Sequence, residues 1–235
     1  MHPSPAYSPR AESPPWWPAA VVATVCAVLL GALAAAATAR GTPFALDTAI
    51  HRWALGHRPA WARQAAVAVT ATGSGVPAYV LAALAGSLAQ RAPYWRGALV
   101  GVAALASAQL PRIALASALA RPRPPAGDWA ANAGGWAMPS GHTTTSMVVA
   151  VLLTIAVHRG IHGHARPVLL PIPVLWATAV GLSRIYLGVH WPTDVVAGWL
   201  LAGCWAGSAA LLVLLWRRPA DAHAVHAPST EKQRP

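Results

Sequence analysis

The stretch Gly134–Val157, "GGWAMPSGHTTTSMVVAVLLTIAV", passes from polar to apolar within a few residues. A Pro-Ser-Gly-His turn carrying a titratable imidazole therefore stands at the mouth of a long apolar helix. Ser140 suits the N-cap, and the amides that follow it point out of the helix start, where free N–H groups and the positive dipole end favour phosphate. Two readings follow: a helix cap that holds a histidine, or a docking point for an anion.

Working outward, the rest of the chain supplies the medium. Hydrophobic residues make up 56% and charged residues 10% of the 235, too few charges to cover a soluble surface of that size. Trp16–Ala39 runs without a charge, long enough at about 1.5 Å per residue to cross a hydrocarbon core of about 30 Å. The run outlasts the apolar region of a signal peptide and lacks a strongly basic start, so it is expected to be a retained span. The apolar runs predict an all-α, polytopic membrane helix bundle of six transmembrane helices. Their expected limits are Trp16–Ala39, Thr72–Ala89, Gly97–Ala120, Ser140–His158, Pro167–Leu182 and Pro192–Trp216. Thr42–Gln64 reads as an amphipathic, interfacial helix between the first two. Residues 1–15 and 217–235, rich in Pro, Ser, Ala and charge, read as disordered tails flanking a single membrane domain over 16–216.

The formal net charge of +11 is scattered between apolar spans and forms no stripe, so an anionic lipid substrate and the bilayer are the expected partners, and nucleic acid is not. The two cysteines, Cys26 and Cys204, lie inside apolar runs and imply neither a disulfide framework nor a metal site. Of the 12 tryptophans, Trp16, Trp17, Trp95, Trp136, Trp191 and Trp216 fall at span ends, where interfacial aromatic belts form. His158, His162 and His164 read as a solvated loop without a metal. A slight excess of basic residues on the N-terminal side of the topology widens once Arg121, Arg123 and Arg184 are set aside for chemistry. Both termini are then expected inside the cell membrane, with "RPRP", "PSGH" and "SRIYLGVHWPTD" together on the extracytoplasmic face.

Those clusters carry the chemistry. His190 and Asp194 lie one turn apart if Pro192 opens the last helix. A carboxylate on one ring nitrogen fixes the tautomer and frees the other nitrogen to attack, although a His–Asp pair that only caps the helix has the same spacing. The two arginines of "RPRP" sit on a backbone stiffened by proline and can grip phosphate oxygens in bidentate fashion. One nucleophile, one acid, several guanidinium groups and a helix N-terminus suit phosphoryl transfer, where catalysis is mostly positioning and neutralising charge. No metal or other cofactor is required by that inventory.

The order Arg-Pro, then Pro-Ser-Gly-His, then Ser-Arg-x5-His-x3-Asp resembles the type 2 phosphatidate phosphatase superfamily, over roughly Gly97–Trp216. The resemblance implies a membrane hydrolase of lipid phosphate monoesters or pyrophosphates, with undecaprenyl pyrophosphate first, then phosphatidate or phosphatidylglycerophosphate. It implies His190 as the nucleophile that forms a phosphohistidine, Asp194 as its orienting carboxylate and His142 as the acid that protonates the leaving alkoxide. Arg123, Arg184, Ser140 and the amide of Gly141 would hold the phosphate oxygens. The family's first motif opens with a lysine, and that position is Ala116 here; the one lysine of the chain is Lys232. Arg112, one turn earlier on the same face, is expected to reach the phosphate in its place and to have an anionic partner. A phosphotransferase using the same phosphohistidine, a vanadate-binding haloperoxidase and a non-enzymatic membrane protein are the alternative readings.

Overall fold

A computed structural model of the chain describes residues 15–90 and 93–216. The tails expected at 1–15 and 217–235 lie outside the described residues, save Pro15. Among the described residues the regular structure is helical: α1 (Trp17–Arg40), α2 (Ala45–Gly56), α3 (Ala60–Ala71), α4 (Gly75–Ala89), α5 (Tyr94–Leu119), α6 (Gly141–Gly160), α7 (Ala165–Leu169), α8 (Ile172–Tyr186) and α9 (Pro192–Trp216). A single 3-10 turn, Ala126–Asp128, interrupts the long α5–α6 connection.

Among the described residues five spans are long and apolar enough to cross a membrane: α1, α5, α6, the α7–α8 stretch and α9. The sixth differs from the expectation of one helix at Thr72–Ala89. There, α3 and α4 form a pair bent by 52° at the "TGS" break, where Ser74 is extended (φ −154°, ψ 177°) and Gly75 opens α4 with a φ of 58° that glycine accepts. The interfacial segment likewise divides, into α2 and the first turn of α3, at "HRP", since a residue before proline is driven out of the helical region. The chain is a multi-pass membrane protein.

Packing gathers the motif-bearing ends. α4 lies against α5 so closely that a Cβ on Gly101 would stand 2.0 Å from the carbonyl oxygen of Ala82. α6 sits centrally, against α4, α8 and α9, and α1 closes onto α9. Where α9 crosses the start of α6, a Cβ on Gly198 would meet the Cβ of Thr143 at 2.9 Å. Only glycine permits that approach, and it brings the Pro-Ser-Gly-His turn against the His190–Asp194 segment. The amide of Ser140 donates to the carbonyl of Asp194 at 3.0 Å.

The tryptophans divide. Trp17, Trp95 and Trp216 are exposed, as span-end anchors should be. Trp191 departs from that expectation: it is 7% exposed, donates from Nε1 to the carbonyl of Pro122 at 3.1 Å and packs on the His51 ring.

Candidate active site

A cavity of about 550 Å³ opens at the α6 N-terminus. Of the residues singled out in the sequence, Arg112, Arg123, Gly141, His142, Arg184 and His190 line it. No residue lining it is acidic, so the cavity presents positive charge against none of the opposite sign. Asp194 stands behind His190, buried. Ser140 is also fully buried, and it is the residue whose placement departs most from expectation. It occupies the N-cap position of α6 but makes no side-chain cap; its hydroxyl accepts from Thr143 Oγ1 at 2.9 Å. The run of threonines that follows supplies that donor and turns the hydroxyl away from the cavity.

His190 lies in the loop between α8 and α9. Its Nδ1 faces Asp194 Oδ2 at 3.4 Å, and its Nε2 faces Arg123 Nη1 at 2.8 Å. A guanidinium only donates, so Nε2 carries the lone pair and Nδ1 the proton. Burial holds the imidazole below its ordinary range, to about 4, with the hydrogen bond and charge of Asp194 opposing. Arg123 is itself held by the carbonyls of Gly134, Gly135 and Val189, at 2.7, 3.0 and 2.9 Å. The proline-stiffened loop thus aims one nitrogen of Arg123 at the histidine.

The opposite wall comes from the α3–α4 bend, which sequence reasoning did not connect to the site. Ser74 Oγ lies 2.8 Å from His142 Nε2. Thr70 Oγ1 accepts from Arg184 Nη1 at 3.2 Å, while Arg184 Nε is buried without a hydrogen-bond partner. An unpaired buried N–H of a cation is costly, and this one belongs to a residue that lines the cavity. The "GSGVP" interruption in an apolar run was the available signal.

Arg112 projects from α5 to the first turn of α6, its Nη1 3.4 Å from where a Cβ on Gly141 would be. The expected anionic partner is not what it has. Its Nε donates to the neutral Gln109 Oε1 at 2.8 Å, and Gln109 in turn donates to Thr145. An amide satisfies one donor without cancelling the charge, and the acids of this face are taken up elsewhere.

Asp128 pairs with His51, Nε2 to Oδ2 at 2.9 Å, while Asp47 and Asp194 are taken up by Arg121, the other arginine of "RPRP". Its Nη1 donates to Asp194 Oδ1 at 2.6 Å and its Nη2 to Asp47 Oδ2 at 2.7 Å. Asp194 also accepts from the backbone amide of Trp191 at 2.8 Å, an N3 carboxylate reaching back to its own N-cap. The capping reading and the histidine-orienting reading therefore both describe this residue. Neither Asp47 nor Arg121 was distinguishable by local pattern, though an acid in an apolar chain with so few is itself a signal. Among the described residues no three His, Cys, Asp or Glu side chains cluster as metal ligands.

Helical spans, a Pro-Ser-Gly-His helix start and a His–Asp pair at the start of α9 converge on one cationic cavity suited to a phosphate. Residues 97–218 match the PAP2 superfamily, and the chain belongs to it. Decaprenylphosphoryl-5-phosphoribose phosphatase of Mycolicibacterium smegmatis is 36% identical over 123 residues, 51% of this chain and 62% of that protein. Undecaprenyl-diphosphatase of Sulfolobus acidocaldarius is 40% identical over 72 residues, 30% of each chain. The aligned part thus spans less than two thirds of these relatives. A crystal structure of a transmembrane PAP2-type phosphatidylglycerolphosphate phosphatase from Bacillus subtilis shares the fold, with a TM-score of 0.70 and 22% identity over 83% of this chain and 97% of that one.

Proposed function

We propose that the protein is a membrane phosphatase that hydrolyses a lipid phosphate monoester or pyrophosphate through a phosphohistidine on His190. The observation that carries this is a pair of contacts on one imidazole: Nε2 stands 2.8 Å from the Arg123 guanidinium and Nδ1 stands 3.4 Å from the Asp194 carboxylate, which assigns the lone pair to Nε2. The Nε2 lone pair attacks phosphorus, and the bond to the leaving oxygen breaks. His142 gives that oxygen a proton and becomes neutral. A water then attacks the phosphohistidine, passing its proton to His142; the N–P bond breaks, inorganic phosphate leaves, and Nε2 recovers its lone pair.

Arg184, with its spare Nε, and the Gly141 amide at the α6 start hold the equatorial oxygens. Arg123 joins them when the entering phosphate takes over its contact with Nε2. Arg112 stands in for the first-motif lysine at Ala116, its remaining donors directed to the α6 start. Ser140 contributes through its backbone and through the shape of the turn, since its hydroxyl is already engaged. Guanidinium groups and amides supply the positive charge that a metal would otherwise provide.

The substrate is a lipid whose phosphate enters the cavity while its tail stays in the bilayer. A prenyl pyrophosphate is favoured, with undecaprenyl pyrophosphate first and phosphatidate or phosphatidylglycerophosphate after it; the prenyl-phosphate names of two relatives support that order. The protein resides in the plasma membrane with both termini cytoplasmic and the site extracytoplasmic. The test is phosphate release by the detergent-purified protein, with EDTA present, from those three lipids and a soluble monoester. Release that persists in EDTA and disappears in His190→Ala is expected. Undiminished release by His190→Ala overturns the reading.

A further inference from the structure

Asp47 is the most completely engaged carboxylate in the described chain, and it belongs to a segment that local pattern assigns to the membrane interface. It is fully buried. Oδ2 accepts from Arg121 Nη2 at 2.7 Å, Thr193 Oγ1 at 2.8 Å and its own N-cap amide, Phe44, at 3.2 Å. Oδ1 accepts from the Thr193 amide at 2.9 Å. Thr193 Oγ1 in turn accepts from Arg121 Nη1 at 2.7 Å, the nitrogen that also holds Asp194.

Asp47 and Asp194 therefore occupy the same place in two helices, the third position of α2 and of α9, each reaching back to its own N-cap amide. The two helix starts meet across a single guanidinium. A buried ion pair holds its geometry only when its remaining donors and acceptors are satisfied, and Asp47 is what satisfies the far side of Arg121. Without it, Arg121 is free to rotate its second nitrogen onto Asp194, and the carboxylate would shift away from the His190 Nδ1–H. That hydrogen bond is already long, at 3.4 Å, so small displacements decide whether it exists.

We propose that Asp47 is a positioning residue of the phosphatase, acting through Arg121 and Thr193 to set the Asp194 carboxylate against His190. The proposal rests on the phosphohistidine reading given above. It makes α2 part of the catalytic unit, although α2 lies outside the region matched to the superfamily. It also gives the two arginines of "RPRP" separate duties: Arg121 faces the acids and Arg123 faces the cavity.

The test uses the full-length protein in detergent, with kcat and KM measured for Asp47→Asn, Thr193→Val, Thr193→Ser and Asp194→Asn, and for Asp47→Asn combined with Asp194→Asn. Misplacing a catalytic group by a fraction of an ångström costs about 10- to 100-fold. Asp47→Asn and Thr193→Val are expected to lower kcat by about that factor with KM nearly unchanged, because the phosphate grip is not touched. Thr193→Ser keeps the hydroxyl and should stay near wild type. In the Asp194→Asn background, Asp47→Asn should add almost nothing, since the residue it acts through is gone. A loss confined to KM, a wild-type kcat with only a lower melting temperature, or a loss that multiplies with Asp194→Asn overturns the proposal. Should Asp47→Asn fail to fold, the Thr193→Val and Thr193→Ser pair decides. His190→Ala separates the two failures: undiminished activity there overturns the phosphohistidine reading and this inference with it, whereas loss there with wild-type kcat in Asp47→Asn overturns this inference alone.

Discussion

Arg123 Nη1 stands 2.8 Å from His190 Nε2, so the resting site keeps a cation on the nitrogen that faces the cavity. Because arginine cannot accept, the contact itself assigns the tautomer and keeps Nε2 unprotonated. In the proposed reaction an incoming phosphate competes for that same guanidinium, which would couple binding to release of the nitrogen. Arg123→Ala is expected to lose about 10²- to 10³-fold in kcat/KM, the usual cost of removing one donor aimed at developing charge. A loss smaller than tenfold, measured on the preferred lipid, would separate Arg123 from the reaction.

The acidity of His190 bears on the acid limb of the pH dependence. In the proposed reaction its neutral form is the nucleophile, and burial lowers its pKa to about 4, so the neutral form persists well below the ordinary value of 6.5. The acid limb of kcat/KM that belongs to His190 should therefore fall near pH 4, after correction for the substrate's own second ionisation near 6. Asp194 supports the charged form, so Asp194→Asn should move that limb further down. A corrected limb near 6.5 in the wild type would contradict this assignment.

Ser74 is predicted to orient His142. Ser74→Ala removes the partner of Nε2 at 2.8 Å without altering the phosphate grip. The expected result is a fall in kcat of about tenfold with KM held, as for a catalytic group that loses its orientation. Steady-state kinetics with a lipid substrate checks it, and an unchanged kcat removes Ser74 from the site.

Arg112 is tested by charge and by shape. Arg112→Ala should lower kcat/KM by about 10²-fold or more, and Arg112→Lys should recover part of that, since a single cation near the α6 start is what the first motif normally supplies. Equal activity in wild type and Arg112→Ala would show that the first-motif cation has no substitute here.

Arg121 is expected to matter to stability first. Arg121→Met would leave Asp47 and Asp194 buried without their shared cation, at a cost of about 3–5 kcal/mol. Thermal unfolding in detergent measures this, and adding Asp47→Asn should return part of the loss. A melting temperature equal to wild type in Arg121→Met would mean that the two carboxylates find other partners.

The spans, the N-terminal position of Ser140 and the opening of α9 at Pro192 were legible because each depends on neighbouring residues. Uninterrupted apolar length sets a membrane helix, a proline fits the first helical position, and the spacing of His190 and Asp194 is one turn. The bend between α3 and α4 was half legible, as a glycine-rich interruption whose angle depends on what it packs against. Trp191 was misjudged because an indole near a span end looks the same to local pattern whether it faces lipid or a buried loop.

Local pattern was enough for a helical membrane bundle, its superfamily and the residue types of its three polar clusters. Which arginine of "RPRP" meets the acids and which meets the histidine depended on long-range packing. Packing alone turned the Ser140 hydroxyl inward, put Gln109 rather than an acid on Arg112, and drew Asp47 against the start of α9. The reason is physical. Helix length, caps and turns are determined within a few residues, whereas the partner of a buried charge comes from whichever distant segment packs beside it, as Asp47, Arg121 and Asp194 do here.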